Sequence, residues 1–216
     1  MTDTTRMFGR RERNMSEKRD RILAAASDLF TERGFSAVTT KEVSDRADVA
    51  AGTLFRYAAS KSELLLMVYN EEFRAAIDEG ERRAAPVAET VSAIGALVAP
   101  TIEHSVRTPE NSIAYQRELL FGYAGEPHRA EGVELVYRLE GLIVSRLMGD
   151  PRQRRLAVDA AFVRLAAQTV FSIVNLTIAR LSDAMVELSD IERHLRVQIM
   201  QVVDGLFAER ERHVEH

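Results

Sequence analysis

The stretch from Gly34 to Leu65, GFSAVTTKEVSDRADVAAGTLFRYAASKSELL, leaves the chain few ways to fold. Thr39 or Thr40 caps a short helix over residues 40–47, with Val43 and Ala47 four apart on one face. Asp48-Val49-Ala50 breaks it. Asp tolerates left-handed backbone better than most residues with a side chain, so Asp48 turns the chain while Val49 packs inward. A second short helix follows, from Ala51 to about Tyr57. Leu54 faces its core, and Ala51, Gly52, Thr53, Arg56 and Tyr57 line its outer side. Ser60 then caps a long helix beginning at Lys61. Two short helices about a tight turn form a helix-turn-helix, whose second helix enters the DNA major groove.

The segment resembles the DNA-binding signature of the tetracycline-repressor (TetR) family of bacterial transcription regulators. Gly34, Phe35, Thr39, Val43, Ala47, Val49, Gly52, Thr53, Leu54, Tyr57, Ser60, Lys61 and Leu64 agree with that pattern in register. The upstream RDRILAAASDLFTERGF resembles the family's first helix, so the likeness covers residues 18–65. Beyond Leu65 it is one of architecture and length. By position, the resemblance implies that Lys41, Ala51, Gly52, Thr53 and Arg56 face base edges. It implies that Thr39, Thr40, Tyr57 and Lys61 hold phosphates. The departures are Ser44, Asp48, Ala50, Phe55 and Ala58. Phe55 lacks the hydroxyl of the family's usual Tyr, and Ala58 replaces a bulky core residue.

The rest of the chain is predicted to be helical. Its five prolines stand at positions 86, 100, 109, 127 and 151, so long stretches are free of them, and no strand-like alternation or repeat interrupts. Residues 1–15 lack periodicity and read as a flexible basic arm. Arg6, Arg10, Arg11 and Arg13 either stay solvated or reach phosphates or a minor groove. Ser16 caps a helix over Glu17–Arg33, ended by Gly34 in a left-handed cap. The helix from Lys61 reaches about Ala84 and is expected to be rigid as far as Glu79, before Gly80. Pro86 opens the next helix, which Gly95 and Pro100 weaken or kink. Thr108-Pro109 opens another, to about Tyr123, and one more runs to Met148 with Val133, Tyr137, Val144 and Leu147 inward. Asp150-Pro151 starts the longest, to about Leu181, and Ser189 with Glu192 makes a capping box for the last. The fold class is all-α with about nine helices. Residues 16–60 form the DNA-binding domain and residues 61–216 an effector-binding and dimerisation domain.

Leu156, Ala160, Val163, Ala167, Val170 and Val174 step by three and four along the longest helix. Ile191, Leu195, Ile199 and Val202 share a face of the last one. The spacing leaves the partner of this seam open, within the chain or in a second copy. The resemblance implies that the last two helices of two chains pack as a four-helix bundle, which makes these ten residues the expected dimer interface.

The resemblance also implies an effector pocket between the helices from Lys61 to Met148, roofed by the next. Expected lining residues are Met67, Asn70, Phe73, Leu97, Ile102, His104, Tyr115, Tyr123, Tyr137, Glu140, Met148 and Phe162. An apolar lining with few polar groups suits a hydrophobic or aromatic molecule. Glu140 falls on the stripe of Tyr137 and Val144. It either pairs with an arginine such as Arg164 or anchors a ligand.

Charge supports one phosphate-facing end. Residues 1–61 hold 12 Lys and Arg against nine Asp and Glu, and the remainder 17 against 24. The absence of Cys excludes a disulfide frame, thiolate metal sites and a cysteine nucleophile. The five His are scattered, and no nucleophile elbow or Walker loop occurs, so no catalytic residue, metal ligand or cofactor site is expected. There is no secretory signal and no run of 18 apolar residues, which predicts a cytoplasmic protein that crosses no membrane. The expected function is a homodimeric repressor that binds a palindromic operator and is released by a small effector. The alternative is a helical ligand-sensing or interaction module that has lost specific DNA binding, with Phe55 and Ala58 as its symptoms. The expected switch is a pendulum motion of the long helix from Lys61. It changes the spacing of two recognition helices that must lie about 34–36 Å apart, or a small multiple of that.

Overall fold

The computed structural model describes the backbone of residues 3–181 and 187–214 and the side chains of residues 13–181 and 187–208. Ten helices lie among them: α1 (Asp3–Ala37), α2 (Thr40–Arg46), α3 (Ala51–Leu54), α4 (Lys61–Ala84), α5 (Thr90–Arg107), α6 (Pro109–Phe121), α7 (Pro127–Met148), α8 (Pro151–Leu156), α9 (Ala160–Ala179) and α10 (Leu188–Val214). There is no strand among the described residues.

Local chemistry sets many of the boundaries. Thr39 and Glu42 form a full capping box at α2, the Glu42 amide donating to Thr39 Oγ1 (3.2 Å) and the Thr39 amide to Glu42 Oε2 (2.8 Å). Asp48 makes the turn at φ 50°. Ser60 Oγ accepts from the Glu63 amide at 3.0 Å and opens α4. Pro109, Pro127 and Pro151 each occupy the first turn of a helix, where no N–H is missed. Gly34 sits at φ 77°, ψ 157°, an extended conformation open to glycine rather than the expected left-handed cap, and one more turn of α1 follows it.

Helix α4 is the centre of the molecule. It packs on α1 near its start and on α5, α6 and α7 along its length. One apolar core runs from Ile22 of α1 through α4 to Phe207 of α10, so the N-terminal head and the body are not separated by a solvated joint. Gly80 does not interrupt α4. A Cβ there would lie 2.1 Å from the Leu97 carbonyl oxygen, so this glycine lets α4 and α5 touch backbone to backbone.

Several expectations are corrected. Helix α1 begins at Asp3, not Glu17. The first 15 residues contain no proline and are rich in Arg and Met, which propagate a helix upstream of Ser16. The side chains of Arg6, Arg10 and Arg11 lie outside the described residues, and Arg13 is exposed. Pro86 precedes α5 by four residues. The true start is Thr90, because the Glu89 carboxylate accepts from the amides of Val91 (2.9 Å) and Ser92 (2.8 Å). Helix α5 then runs on through Pro100.

The expected long helix from Pro151 to Leu181 is two helices. Ala157 turns into the left-handed region at φ 47°, Gln153 Nε2 donates to the Val158 carbonyl at 2.8 Å, and Asp159 caps α9 by accepting from the Ala161 amide at 2.7 Å. Ser189 lies inside α10, whose first bonds end on the Glu187 carbonyl. Helix α7 buries Gly132, Leu135, Leu139, Ile143 and Leu147, a face rotated from the expected one. The reason is Gly132, where a Cβ would come within 2.7 Å of Leu119 and 2.8 Å of Asn70 Oδ1. That close approach fixes which side of α7 meets α4 and α6. Helix α9 is long and apolar enough by length and composition to cross a membrane, although only 33% of its most apolar window is buried within the chain.

Candidate nucleic-acid interface and internal cavity

The head presents one edge to solvent. Val43, Ala47, Leu54 and Ala58 are buried, and Ala58 at 1% exposure is part of the core rather than a gap in it. Lys41, Ala51, Gly52 and Arg56 are exposed, while Thr40, Thr53 and Tyr57 are half-buried. Gly52 has no atom within 4 Å of the position its Cβ would take and no positive φ. Neither backbone strain nor internal packing requires a glycine there. The space beside it leaves the backbone of α3 open to an outside surface. Phe55 stands beside it with 47% of its surface exposed. The sequence reading passed over it as a contact, yet an exposed ring on a recognition helix can pack on a thymine methyl.

Four of the nine expected contacts also have work inside the head. Thr39 is in the capping box. Lys41 Nζ pairs with Asp45 at 2.6 Å. The Tyr57 hydroxyl donates to the Met15 carbonyl at 3.0 Å. Lys61 Nζ donates to the Ser36 carbonyl at 3.2 Å and sits 4.4 Å above the Phe35 ring. Partial burial there holds the Lys61 pKa below the usual lysine range, with Glu110 and Glu42 opposing the shift. Arg56 forms no ion pair among the described residues and is free to reach outward.

Two polar links tie this head to the body. Asn111 of α6, 2% exposed, accepts from the Phe35 amide at 2.6 Å and donates to the Phe30 carbonyl at 2.8 Å. Beside it Glu110 accepts from the Ser36 amide at 2.7 Å. The second link runs through α4. The Tyr115 hydroxyl donates to Asn70 Oδ1 at 2.9 Å, and Asn70 Nδ2 donates to the His128 carbonyl at 2.7 Å. His128 Nε2 lies 2.9 Å from the Tyr57 carbonyl and donates to it, at the end of the recognition segment. Glu131 braces the chain. Burial works against its anion, but bonds from Arg74, His128 and Asn70 outweigh it and hold the pKa below the usual carboxylate range.

Tyr115 also lines a small cavity of about 50 Å³ walled by α4, α5, α6, α7 and α9. Of the twelve expected lining residues, the structure brings Phe73, His104 and Tyr115 together there. Asn70 lies behind Tyr115, and Met67 and Leu97 are plain core. Ile102 faces a groove beside α10 instead. Tyr123, Tyr137, Met148 and Phe162 are on the outer surface at 77%, 65%, 44% and 57% exposure. Glu140 makes no ion pair with Arg164, and partial burial raises its pKa. The sequence reading missed Tyr69, Glu72, Thr101, Ser112, Gln116 and Phe171. Tyr69, Glu72, Phe73 and Ala76 share one face of α4 by spacing, and that pattern could have found two of them. Burial pushes the Tyr69 pKa up to about 12, although its hydroxyl bonds Thr108 at 3.2 Å.

The expected dimer seam faces the chain's own core. Leu156, Val163, Ala167, Val170 and Val174 are each at most 6% exposed, as are Ile191, Leu195 and Ile199. Val203 rather than Val202 continues the buried stripe, and Ala160 is exposed. A second stripe, also spaced by three and four, faces outward on α9: Phe162, Leu165, Thr169, Ser172 and Leu176. Val197 and Met200 stand on the outer side of α10.

Residues 22–68 match the model of the bacterial regulatory proteins of the tetR family. Over 118 residues, 55% of the chain and 54% of the relative, the sequence is 33% identical to the transcriptional repressor KstR of Mycobacterium tuberculosis. Over 144 residues, 66% of each, it is 32% identical to KstR of Rhodococcus jostii. The matches therefore span between about half and two thirds of the length of these curated relatives. Among solved structures, a TetR-family repressor, FadR of Thermus thermophilus in complex with lauroyl-CoA, superposes with TM-score 0.67 at 26% identity. That match covers 87% of this chain and 94% of the other.

The Asn111 latch is open to direct test. Replacing Asn111 with Ala leaves a buried amide and a buried carbonyl unpaired. The expected cost is about 2–4 kcal/mol in urea unfolding, with faster hydrogen exchange at the Phe35 amide. Unchanged exchange at Phe35 would show that the latch does not hold the head.

Proposed function

We propose that this chain, which belongs to the TetR family of bacterial regulators, is a homodimeric repressor that binds an operator through α3 and releases it when a small molecule enters the cavity. The observation that carries the proposal is that α4 joins two features. An outward edge with Gly52, Phe55 and an unpaired Arg56 precedes it, and a walled cavity lies along its middle. The KstR and FadR relatives, all named repressors, support the sign of the regulation. Action on chromosomal DNA places the protein in the cytoplasm. Arg56→Ala should cost roughly 1–3 kcal/mol in operator affinity and relax base preference at one position per half-site, read by anisotropy on the DNA upstream of its gene. An unchanged ratio of operator to random-DNA binding would refute base reading by Arg56.

The outward stripe of α9 and the groove between α9 and α10, floored by Ile173, Leu176 and Val197, are covered by a second copy of the chain. This also accounts for a helix of membrane-like composition that lies mostly unburied in the single chain. Leu165→Glu should yield a folded monomer in sedimentation with native circular dichroism. A variant that stayed dimeric would move the interface elsewhere.

Ligand entry acts through Tyr115. A molecule filling the space beside Phe73 displaces the Tyr115 ring, releases Asn70, and through His128 shifts the Tyr57 end of the recognition segment. The cavity's apolar lining and the lauroyl-CoA bound by the Thermus relative make an acyl-CoA the first effector to try. By linkage, operator DNA must weaken its binding by the same factor by which it weakens operator binding, about 5- to 150-fold for a coupling of 1–3 kcal/mol. Tyr115→Phe, which removes the same bond, should weaken operator affinity without ligand and reduce that factor. Calorimetric titrations of lauroyl-CoA that agree with and without operator would rule this route out.

A further inference from the structure

Building on the reading of α3 as the operator-binding element, we infer that His128 is a proton-operated joint between the body and the reading head, through which operator binding weakens as pH rises through neutrality. The ring stands in the first turn of α7 with its side chain 16% exposed. Nε2 lies 2.9 Å from the Tyr57 carbonyl and Nδ1 3.3 Å from Glu131 Oε2. Both partners are acceptors only, a backbone carbonyl and a carboxylate whose other oxygen accepts from Arg74 at 2.5 Å. A neutral imidazole carries one N–H and cannot answer both. The imidazolium carries two and does.

The surrounding charges favour the cation. From α4 come Glu63 and Arg74, and Arg74 also pairs with Glu71, which Arg19 of α1 holds from behind. Glu126, the residue before α7, sets a second carboxylate beside Glu63, and Glu131 adds one from α7 itself. Arg129 points away to the Leu120 carbonyl, the Tyr57 hydroxyl bonds the Met15 carbonyl, and Tyr115 of α6 bonds Asn70. Glu63, Glu126 and Glu131 therefore stand against one guanidinium that is shared with Glu71, and a proton on His128 offsets part of that excess. Burial pushes the Glu63 pKa up, His128 opposes the shift, and Glu126 adds to it. Ionisation of Glu63 as pH rises only strengthens the pull on the imidazolium, so it does not reverse the sign.

Loss of one proton makes the two acceptors compete. A hydrogen bond to a carboxylate is about twice as strong as one between neutral groups, so the remaining proton goes to Glu131 and the Tyr57 carbonyl loses its donor. That carbonyl closes the recognition segment, where the Tyr57 and Ala58 amides bond the Leu54 carbonyl at 2.9 and 3.1 Å. Deprotonation thus loosens the head at the same joint through which effector entry acts, and in the same direction. The operator-binding arrangement holds one proton more than the loosened one, and by linkage operator affinity falls as pH rises.

The test measures binding to the DNA upstream of the gene by anisotropy at pH 6 and pH 8, at one ionic strength, for the full-length wild type, His128→Gln and Glu131→Gln. Wild-type affinity should fall about tenfold or more beyond the fall in His128→Gln, whose side chain does not titrate. Groups at the DNA face, such as Lys61, contribute alike to both. Glu131→Gln offers Nδ1 an N–H, so a neutral ring meets both partners, and its pH slope should match that of His128→Gln. Hydrogen exchange at the Tyr57 and Ala58 amides of the free protein gives a second reading. The ratio of protection in wild type to that in His128→Gln should be larger at pH 6 than at pH 8. Specific binding with equal pH slopes in wild type and His128→Gln overturns the joint and leaves the repressor reading standing. If the wild type binds this DNA no better than random DNA at either pH, the repressor reading falls and the exchange ratio decides the joint, which is overturned by a ratio that does not change with pH.

Discussion

The structure depends on the burial of α4. From Glu63 to Asn70 eight consecutive residues are buried, so this part of the helix has no solvent face. A helix enclosed in that way cannot tilt without disturbing its neighbours on every side. Its polar groups must also be answered from within. Asn70 is fully satisfied by Tyr115, His128 and Glu131. Glu63, 1% exposed, is held above the usual carboxylate range by burial, with His128 opposing. The head and the cavity wall are thus attached to one rod with few degrees of freedom.

Features written in a few adjacent residues were legible in the sequence. The Thr39 cap, the turn at Asp48, the Ser60 cap and the proline starts of α6 and α8 each involve neighbours whose chemistry decides the matter locally. The edge of the reading head followed from the same short range. What failed was rotation about a helix axis. α9 carries two stripes at the same spacing, Val163-Ala167-Val170-Val174 and Phe162-Leu165-Thr169-Leu176, and periodicity cannot rank them. The choice falls to contacts far away in sequence, with α7 and α10. α7 failed likewise, since the absent Cβ at Gly132, not the apolar count, sets its face.

The cavity shows the same limit from another side. Aromatic residues are natural candidates for a pocket, yet Tyr123, Tyr137 and Phe162 point outward. The polar members, Glu72, Thr101 and Ser112, were passed over because a lone polar residue on a helix reads as solvated surface. Only the closure of five helices around them turns ordinary surface chemistry into the lining of a cavity.

Magnitudes indicate which links can carry a signal across this molecule. The ion pairs joining head and body, such as Arg19 with Glu71, hold side chains more than a third exposed, and pairs of that kind contribute about 0–1 kcal/mol and weaken with salt. A buried hydrogen bond whose loss strands one partner is worth about 1–3 kcal/mol, which is the coupling a regulator needs. In the series from Tyr115 through Asn70 and His128 to the Tyr57 carbonyl the first bond is buried and the other two are partly buried, and Asn70 at its centre is 0% exposed. It begins at the cavity and ends at the reading head. On the proposed function, breaking one of its members would change operator affinity, and a ligand would not need to deform α4 over its whole length. A small displacement of Tyr115 suffices, provided the ligand's own contacts replace what Asn70 loses less well in the DNA-bound arrangement than in the free one.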